Sequence, residues 1–432
     1  MTYCFLSACH STTISSNDLL LIILRFKTPL YYENPQSSLP EPYCINVPNL
    51  RFPEFSGEWE KCTLGSIGET FNGLTGKSAA DFGSGSPYIT YKSIFDNSKI
   101  DISKVEYVKI TETERVKQTQ NEVEYGDIFF TTSSETPEEV GMASVLLSEI
   151  RDCYLNSFCF GYRLFDKCIH QPDFFRFYLR SSNLRKKIAI LAQGSTRFNI
   201  SKNEVMKMPI FLPSLAEQRK ISKLLSLIED RIETQKKVIE DLKKLKRAIC
   251  KIVFSSPECV TRKMADMATI TMGQSPSSLS YNEDRQGLPL IQGNLDLYDG
   301  QIRPRIYTSE ITQTCTKGDV ILTVRAPVGE IAHAQLAACI GRGVCAISPH
   351  NSSDAELIYQ YLSYYKPTWA KLEQGSTFSS INGADIRGIE VRCPSMSKIM
   401  LLQLFDTRIQ ESINLLSAYS VSKCYLLSQL FI

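Results

Sequence analysis

The chain has 432 residues, a length that suits two or three domains, and its composition of 43% hydrophobic and 22% charged residues is that of a globular protein. A net charge of +2 leaves any affinity for an anionic partner to local clusters of charge. Fourteen cysteines without a single CxxC pair, and only four histidines, argue against a disulfide framework or a zinc centre; they read as reduced, mostly buried hydrophobes of a cytoplasmic protein.

Residues 1–45 are poor in charge and fit badly with the rest of the chain, as a poorly ordered leader or the product of an upstream start codon would. Their apolar run LLLIIL (19–24) is too short to cross a bilayer, and no Lys or Arg precedes it. From 46 to 212, short runs rich in Ile, Val, Tyr and Phe, broken by Gly, Pro, Asn and Asp, predict a mixed, strand-rich domain. A helical stretch, FFRFYLRSSNLRKKIAILA (174–192), lies near its end. Residues 213–256 then predict a long helix opening after Pro213, with Ser214 and Glu217 spaced as a capping box. Positions 221, 225, 228, 232, 235, 239, 242, 246, 249 and 253 recur at steps of four and three, and all but Gln235 and Lys246 are apolar. That is a coiled-coil seam, and about 39 residues at 1.5 Å each give a rod of ~58 Å. A second strand-rich domain spans 257–394, and a second long helix spans 395–432.

The second half repeats the first. QGST occurs at 193–196 and at 374–377, and Pro213 and Pro394 each follow twenty residues after the glutamine. GDIFFTT (126–132) matches GDVILTV (318–324), and SPYITYKSI (86–94) matches LPLIQGNL (288–295). After a deletion of about four residues the offset becomes 177, placing Leu225, Ile228, Ile232, Ile239 and Ile249 on Leu402, Phe405, Ile409, Leu416 and Leu426. Gln235 falls on Ser412 and Lys246 on Lys423, so even the polar breaks recur. One narrow seam cannot be buried alone. The expected pairing is therefore between the two helices, through Leu225, Ile228, Ile232, Ile239, Leu242, Ile249, Leu402, Phe405, Ile409 and Leu416, with the polar positions helping to set register. The fold class expected is α+β: two mixed, strand-rich domains in tandem repeat, separated by two long helices pairing as an antiparallel coiled coil with a pseudo-two-fold axis.

Catalytic machinery is not found. GLTGKS (73–78) has Phe71 where a P-loop requires glycine, and FGSGSPY (82–88) lacks the third glycine of a dinucleotide fingerprint. No HExxH, GxSxG or metal-spaced carboxylate cluster is present, and no catalytic or metal-ligating residue is assigned. A doubled domain without such a constellation points to binding. Residues 176–207 hold eight basic side chains against one acid, Glu204, around the first QGST. Arg185, Lys186 and Arg197 are candidate phosphate contacts, and Gly194, Ser195 and Thr196 allow a close approach of backbone to phosphate. Gly375, Ser376 and Thr377 are their counterparts. Loops that differ between the copies should carry specificity: Thr90 and Lys92 against Gln292 and Asn294, and Thr132, Ser133 and Ser134 against the loop holding Arg325, an arginine suited to guanine.

Two such domains, each followed by a long helix, the first opening LPSLAEQRKISKLL and closing LKKLKRAICKIVF, resemble the DNA-specificity subunit of type I restriction–modification systems. NVPNLRFPEFSGEWEKCTLGSIGE (46–69) looks like the usual start of such subunits, and the resemblance covers about 46–432. The resemblance implies two target recognition domains reading the halves of a split, asymmetric site in double-stranded DNA, with the helices as a ruler. It implies docking of two methyltransferase subunits and of restriction (motor) subunits, with no membrane. This chain would then bind no cofactor, S-adenosylmethionine, ATP and Mg being held by the partner subunits. The second copy departs from the pattern at CPSMSKIM (393–400), which lacks the Glu-Gln of 217–218, so altered docking is expected there. The competing reading is a non-catalytic coiled-coil scaffold whose globular heads bind protein partners.

Overall fold

The structure is a computed structural model and describes residues 46–118, 122–372 and 380–432. Residues 1–45, together with Gly375, Ser376 and Thr377, lie outside the described residues. The chain divides into two compact units, one up to Glu233 together with Ser417–Ile432, the other Thr234–Leu416. Each unit thus holds the start of one long helix, Leu215–Ser255 or Met396–Gln429, and the end of the other.

In the first unit a four-stranded sheet runs in the order Gly68–Asn72, Cys159–Leu164, Ile128–Thr131, Ala143–Val145. A three-stranded sheet places Phe82–Ile89 between Glu106–Val108 and Tyr154–Leu155. Ile128, Phe129 and Phe130 are fully buried because their strand is central and covered on both faces. The second unit repeats this plan and extends it. Ala268–Met272, Val344–Pro349, Val320–Thr323 and Ile331–His333 are consecutive in a six-stranded sheet, and Ile306–Thr308, Leu288–Ile291 and Ala338–Ile340 are consecutive in a five-stranded one.

Each unit is closed by a two-stranded antiparallel ribbon joining its entry to its exit. In the first, Glu60–Thr63 pairs with Pro209–Leu212; in the second, Val260–Lys263 pairs with Glu390–Cys393. The helical stretch expected at 174–192 is broken into Pro172–Tyr178 and Ser182–Ile190. The Ser181 hydroxyl caps the second piece by accepting from the Leu184 N–H, and Arg180 turns inward to the carbonyls of Ala143, Ile94, Phe95 and Asn97. Its counterpart in the second unit is one helix, Ser352–Leu372.

The long helices run antiparallel to one another within each unit. In the first, Ile221, Leu225 and Ile228 share a core with Leu426, Leu430 and Phe431, and Ile232 packs against it. Phe431 stacks edge-on and tilted against Phe174 and Tyr178. In the second, Cys250, Val253 and Phe254 share a core with Ile399 and Leu402, with Ile249 packed against it; Ile239 and Ile409 are each 8% exposed. Leu242, Phe405 and Leu416 are half-buried. The helix ends therefore serve the globular cores as well as each other.

One expectation about these helices is corrected. The capping box is only half made: the Ser214 hydroxyl accepts from the Glu217 N–H, but the Glu217 carboxylate turns to Arg51, 2.8 Å from both its Nε and its Nη2. Of the polar positions in the seams, Lys246 and Lys423 each find an acid on the other helix, Asp406 and Glu229. Gln235 does reach across, donating to the Ser412 carbonyl at 3.2 Å.

Candidate nucleic-acid interface

Loops at one end of the sheets are drawn together in each unit by backbone hydrogen bonds. In the first unit Leu74 N–H donates to Leu155 O, Asn156 N–H to Ile89 O, and Thr132 N–H to Phe158 O, at 2.7–3.0 Å. The second unit repeats all three, from Gln274 to Ile340, Gly341 to Ile291 and Val324 to Gly343, at 2.8–2.9 Å. Ile200 N–H donates to Thr132 O at 2.9 Å, as Ile381 N–H does to Val324 O at 3.0 Å. Asn199 pairs with Ser133 in register, as Ser380 does with Arg325. These bonds engage no side chain, so the side chains above them differ between the units at no cost to the frame.

The QGST motif of the first unit is the tip of a tight hairpin. Gln193 and Asn199 exchange N–H···O bonds of 2.9 and 2.8 Å, and Gly194 sits at φ +132°, where an added Cβ would stand 2.2 Å from the Arg197 carbonyl oxygen. Ser195, Thr196 and Arg197 are exposed on it. The Phe198–Asn199 end of the hairpin pairs with Ser133–Ser134. The structure thus brings the 131–134 loop and the QGST hairpin side by side, and the Tyr91 hydroxyl, donating to Ser133 O at 2.6 Å, joins the 90–92 turn to them. Lys92 is exposed in that turn.

Five residues singled out as contacts are committed elsewhere. Arg185 is half-buried, and its guanidinium donates to the carbonyls of Glu138, Val140 and Gly141. Burial pushes its pKa down to about 10. It staples a helix to the 138–141 loop and is not available to phosphate, whereas its neighbour Lys186 is exposed. Ser133 and Ser134 are only 6% and 7% exposed, their role being strand pairing. Thr90 caps the helix Tyr91–Asp96 by accepting from the Ser93 N–H. Thr132 is half-buried and donates its hydroxyl to Phe158 O at 2.7 Å.

In the second unit the same face carries different chemistry. Arg325 is exposed and lies beside the Gly341–Val344 turn, whose tip is the exposed Arg342. Among the described residues neither arginine has a carboxylate partner. Gln292 is half-buried, donating its side-chain amide to the Tyr281 hydroxyl at 2.8 Å, while Asn294 is exposed. Arg342 was not singled out in the sequence; aligning 156–158 with 341–343 would have found it, because both follow a short strand and close a turn. In the first unit that turn is Asn156-Ser157-Phe158, equally unflagged.

Glu217 and Gln218 face inward. Glu217 is 1% exposed, held by Arg51, with Trp59 Nε1 at 3.4 Å. Gln218 accepts from the Gln171 N–H and donates to Pro213 O, both at 2.9 Å. The Glu-Gln of this motif therefore fixes the 46–59 segment and a helix start to the first long helix. In the second copy Lys398 takes the acid's place and pairs with Glu258 at 3.0 Å, a link of opposite polarity. Among the described residues no group of His, Cys, Asp and Glu is placed to hold a metal ion, and no helix is long and apolar enough to cross a membrane.

Known proteins fit this architecture. The family model described as the type I restriction modification DNA specificity domain matches twice, over residues 56–244 and 258–414, and the chain belongs to that family. It is 30% identical over 381 residues to the protein described as the type I restriction enzyme MjaX specificity subunit of Methanocaldococcus jannaschii, covering 82% of this chain and 87% of that one. The crystal structure of a type I restriction-modification S subunit from M. genitalium shares the fold, with a TM-score of 0.59 at 17% identity, covering 89% of this chain and 99% of the other. As a member, this chain is a non-catalytic DNA-specificity subunit.

Proposed function

We propose that each unit reads one half of a split, asymmetric site in double-stranded DNA through the loop face just described. The observation that carries this is the repeated backbone frame bearing unlike side chains: one docking geometry, presented twice, with two different base-reading surfaces. On the first face Lys92 and Arg197 supply positive charge with the exposed hairpin Gly194-Ser195-Thr196, and Lys186 is exposed on the helix that precedes the hairpin. On the second, Arg325 and Arg342 are suited to the O6 and N7 of guanine, with Asn294 beside them as an amide donor and acceptor. Gly375, Ser376 and Thr377, the counterparts of 194–196 in the sequence repeat, are proposed DNA contacts on the same ground.

In this reading the long helices dock two methyltransferase subunits, with restriction (motor) subunits completing the complex. Val238, Leu245 and Ile252, a heptad apart, are 40%, 50% and 72% exposed on the first long helix and favour a further helical partner. S-adenosylmethionine, ATP and Mg belong in this reading to the partner subunits. The test is co-expression with the methyltransferase partner and genome-wide mapping of adenine methylation. A motif in two parts separated by an unread spacer is expected; a contiguous motif, or none with an active partner, overturns the reading. Affinity that falls steeply with salt separates it from a protein-binding scaffold.

A further inference from the structure

Phe158 is 62% exposed on the face proposed to meet DNA, yet its backbone is held from three sides. Its N–H donates to Asn156 Oδ1 at 2.8 Å, and its carbonyl accepts from the Thr132 N–H at 3.0 Å and from the Thr132 hydroxyl at 2.7 Å. Asn156 is itself fixed, its Nδ2 donating to the Tyr88 hydroxyl at 2.7 Å. The ring is therefore carried by a turn with little freedom left, and a phenylalanine has only two side-chain torsions to order on binding. The turn does not need the ring: its equivalent in the second unit is Gly343, where a Cβ would stand 2.1 Å from the Gln292 carbonyl oxygen.

We infer that Phe158 is a specificity-determining residue that packs on the C5-methyl group of a thymine in the half-site read by the first unit, an inference that rests on the DNA-reading function proposed above. An intact duplex hides the faces of its bases, and the thymine methyl is the one apolar group on the major-groove edges. Ser157 beside it in the turn is exposed and polar, and the Gly194–Arg197 tip of the hairpin that pairs with the adjoining 133–134 strand is exposed and polar or basic, which suits phosphate and base edges rather than an apolar protein partner. The second unit, barred from a side chain at this place, offers Arg342 from the same turn and so reads a different base.

The experiment uses the full chain with its methyltransferase partner and a duplex carrying the mapped site, each thymine replaced in turn by deoxyuridine. With the unaltered protein, one replacement, in one half only, should weaken binding about fourfold, the factor given by ~0.8 kcal/mol for a buried methyl group. Phe158→Ala should bind the thymine duplex about as weakly as the unaltered protein binds that deoxyuridine duplex, and should no longer respond to the replacement, while Phe158→Leu should keep the response. Methyl sensitivity persisting in Phe158→Ala overturns the inference. So does a Phe158→Ala defect with no methyl-sensitive position, which would indicate a wedge between base pairs or a protein contact. Absence of specific binding to the thymine duplex by the unaltered protein would instead sink the DNA-reading function itself.

Discussion

Lys246 on the first long helix is paired with Asp406 on the second, Nζ to Oδ1 at 2.5 Å, and the pair is repeated by Lys423 with Glu229 at 2.5 Å. Lys246 and Lys423 are separated by 177 residues, and so are Glu229 and Asp406. The internal repeat has thus preserved both ends of a cross-helix ion pair, one in each unit. Asp406 also accepts from Gln360 and Glu229 from Arg176, so each pair is tied to the adjoining globular core. Replacing Lys246 with Met should cost about 2 kcal/mol, because Asp406 keeps its charge and loses its cation, a cost moderated by its partial exposure. Lys423→Met should cost a similar amount, and the two should add, since they lie in different units. Urea denaturation of the single and double variants measures this.

Phe431 and Phe254 are also 177 residues apart, Phe254 in the last turn of one long helix and Phe431 just past the end of the other, and each is buried in a core, against Phe174 and Tyr178 or against Tyr361 and Tyr364. Phe431→Ala should destabilise the first unit by about 3–4 kcal/mol, the usual result of emptying a buried aromatic site. Hydrogen exchange should place the loss in the first unit and leave the second unchanged.

Arg185 and Arg197 should separate cleanly. Arg185→Ala strands three carbonyl oxygens and should cost about 2–3 kcal/mol of stability. Arg197→Ala should leave the melting temperature unchanged and reduce the slope of log affinity against log salt by about one. Differential scanning calorimetry and DNA titrations at several salt concentrations distinguish the two roles.

Arg325→Ala should relax one base position of the methylated motif, at a cost of about 1–3 kcal/mol in discrimination, and leave the other half untouched. Methylation mapping of the variant reads this directly. Equal loss at every site would instead mark Arg325 as a phosphate contact.

His333 stacks on Tyr359 at 4.0 Å between ring centres, and burial holds its pKa below the ordinary histidine value, although Glu356 nearby opposes the shift. The unfolded chain therefore takes up this proton first as pH falls. Stability should decline as pH drops below about 6.5, and His333→Asn should make that decline shallower. Urea midpoints at pH 7.5 and 5.5 test it.

The repeat, the strand-rich domains and both long helices were legible because apolar spacing survives in single residues: Leu225 and Leu402 announce the seam wherever they fold. The reading loops were legible only as loops. Arg185 carries the same letter whether it meets phosphate or three carbonyls, and only the fold supplies the carbonyls. Glu217 invited a capping role, but Arg51, 166 residues away along the chain, captures its carboxylate. Phe158 and Arg342 escaped notice because a short turn has no periodicity to mark it, and their importance comes from neighbours distant in sequence.

Thr63 lies beside Pro209, and Lys263 beside Glu390, so the chain enters and leaves each reading unit through paired strands about 5 Å apart. Everything between those doorposts is one continuous insert whose ends are already aligned, whatever loops it carries. A foreign insert closed by the same ribbon can be exchanged at the two doorposts while the joints to the helices stay in place, so new half-sites can be acquired by recombination in a single step.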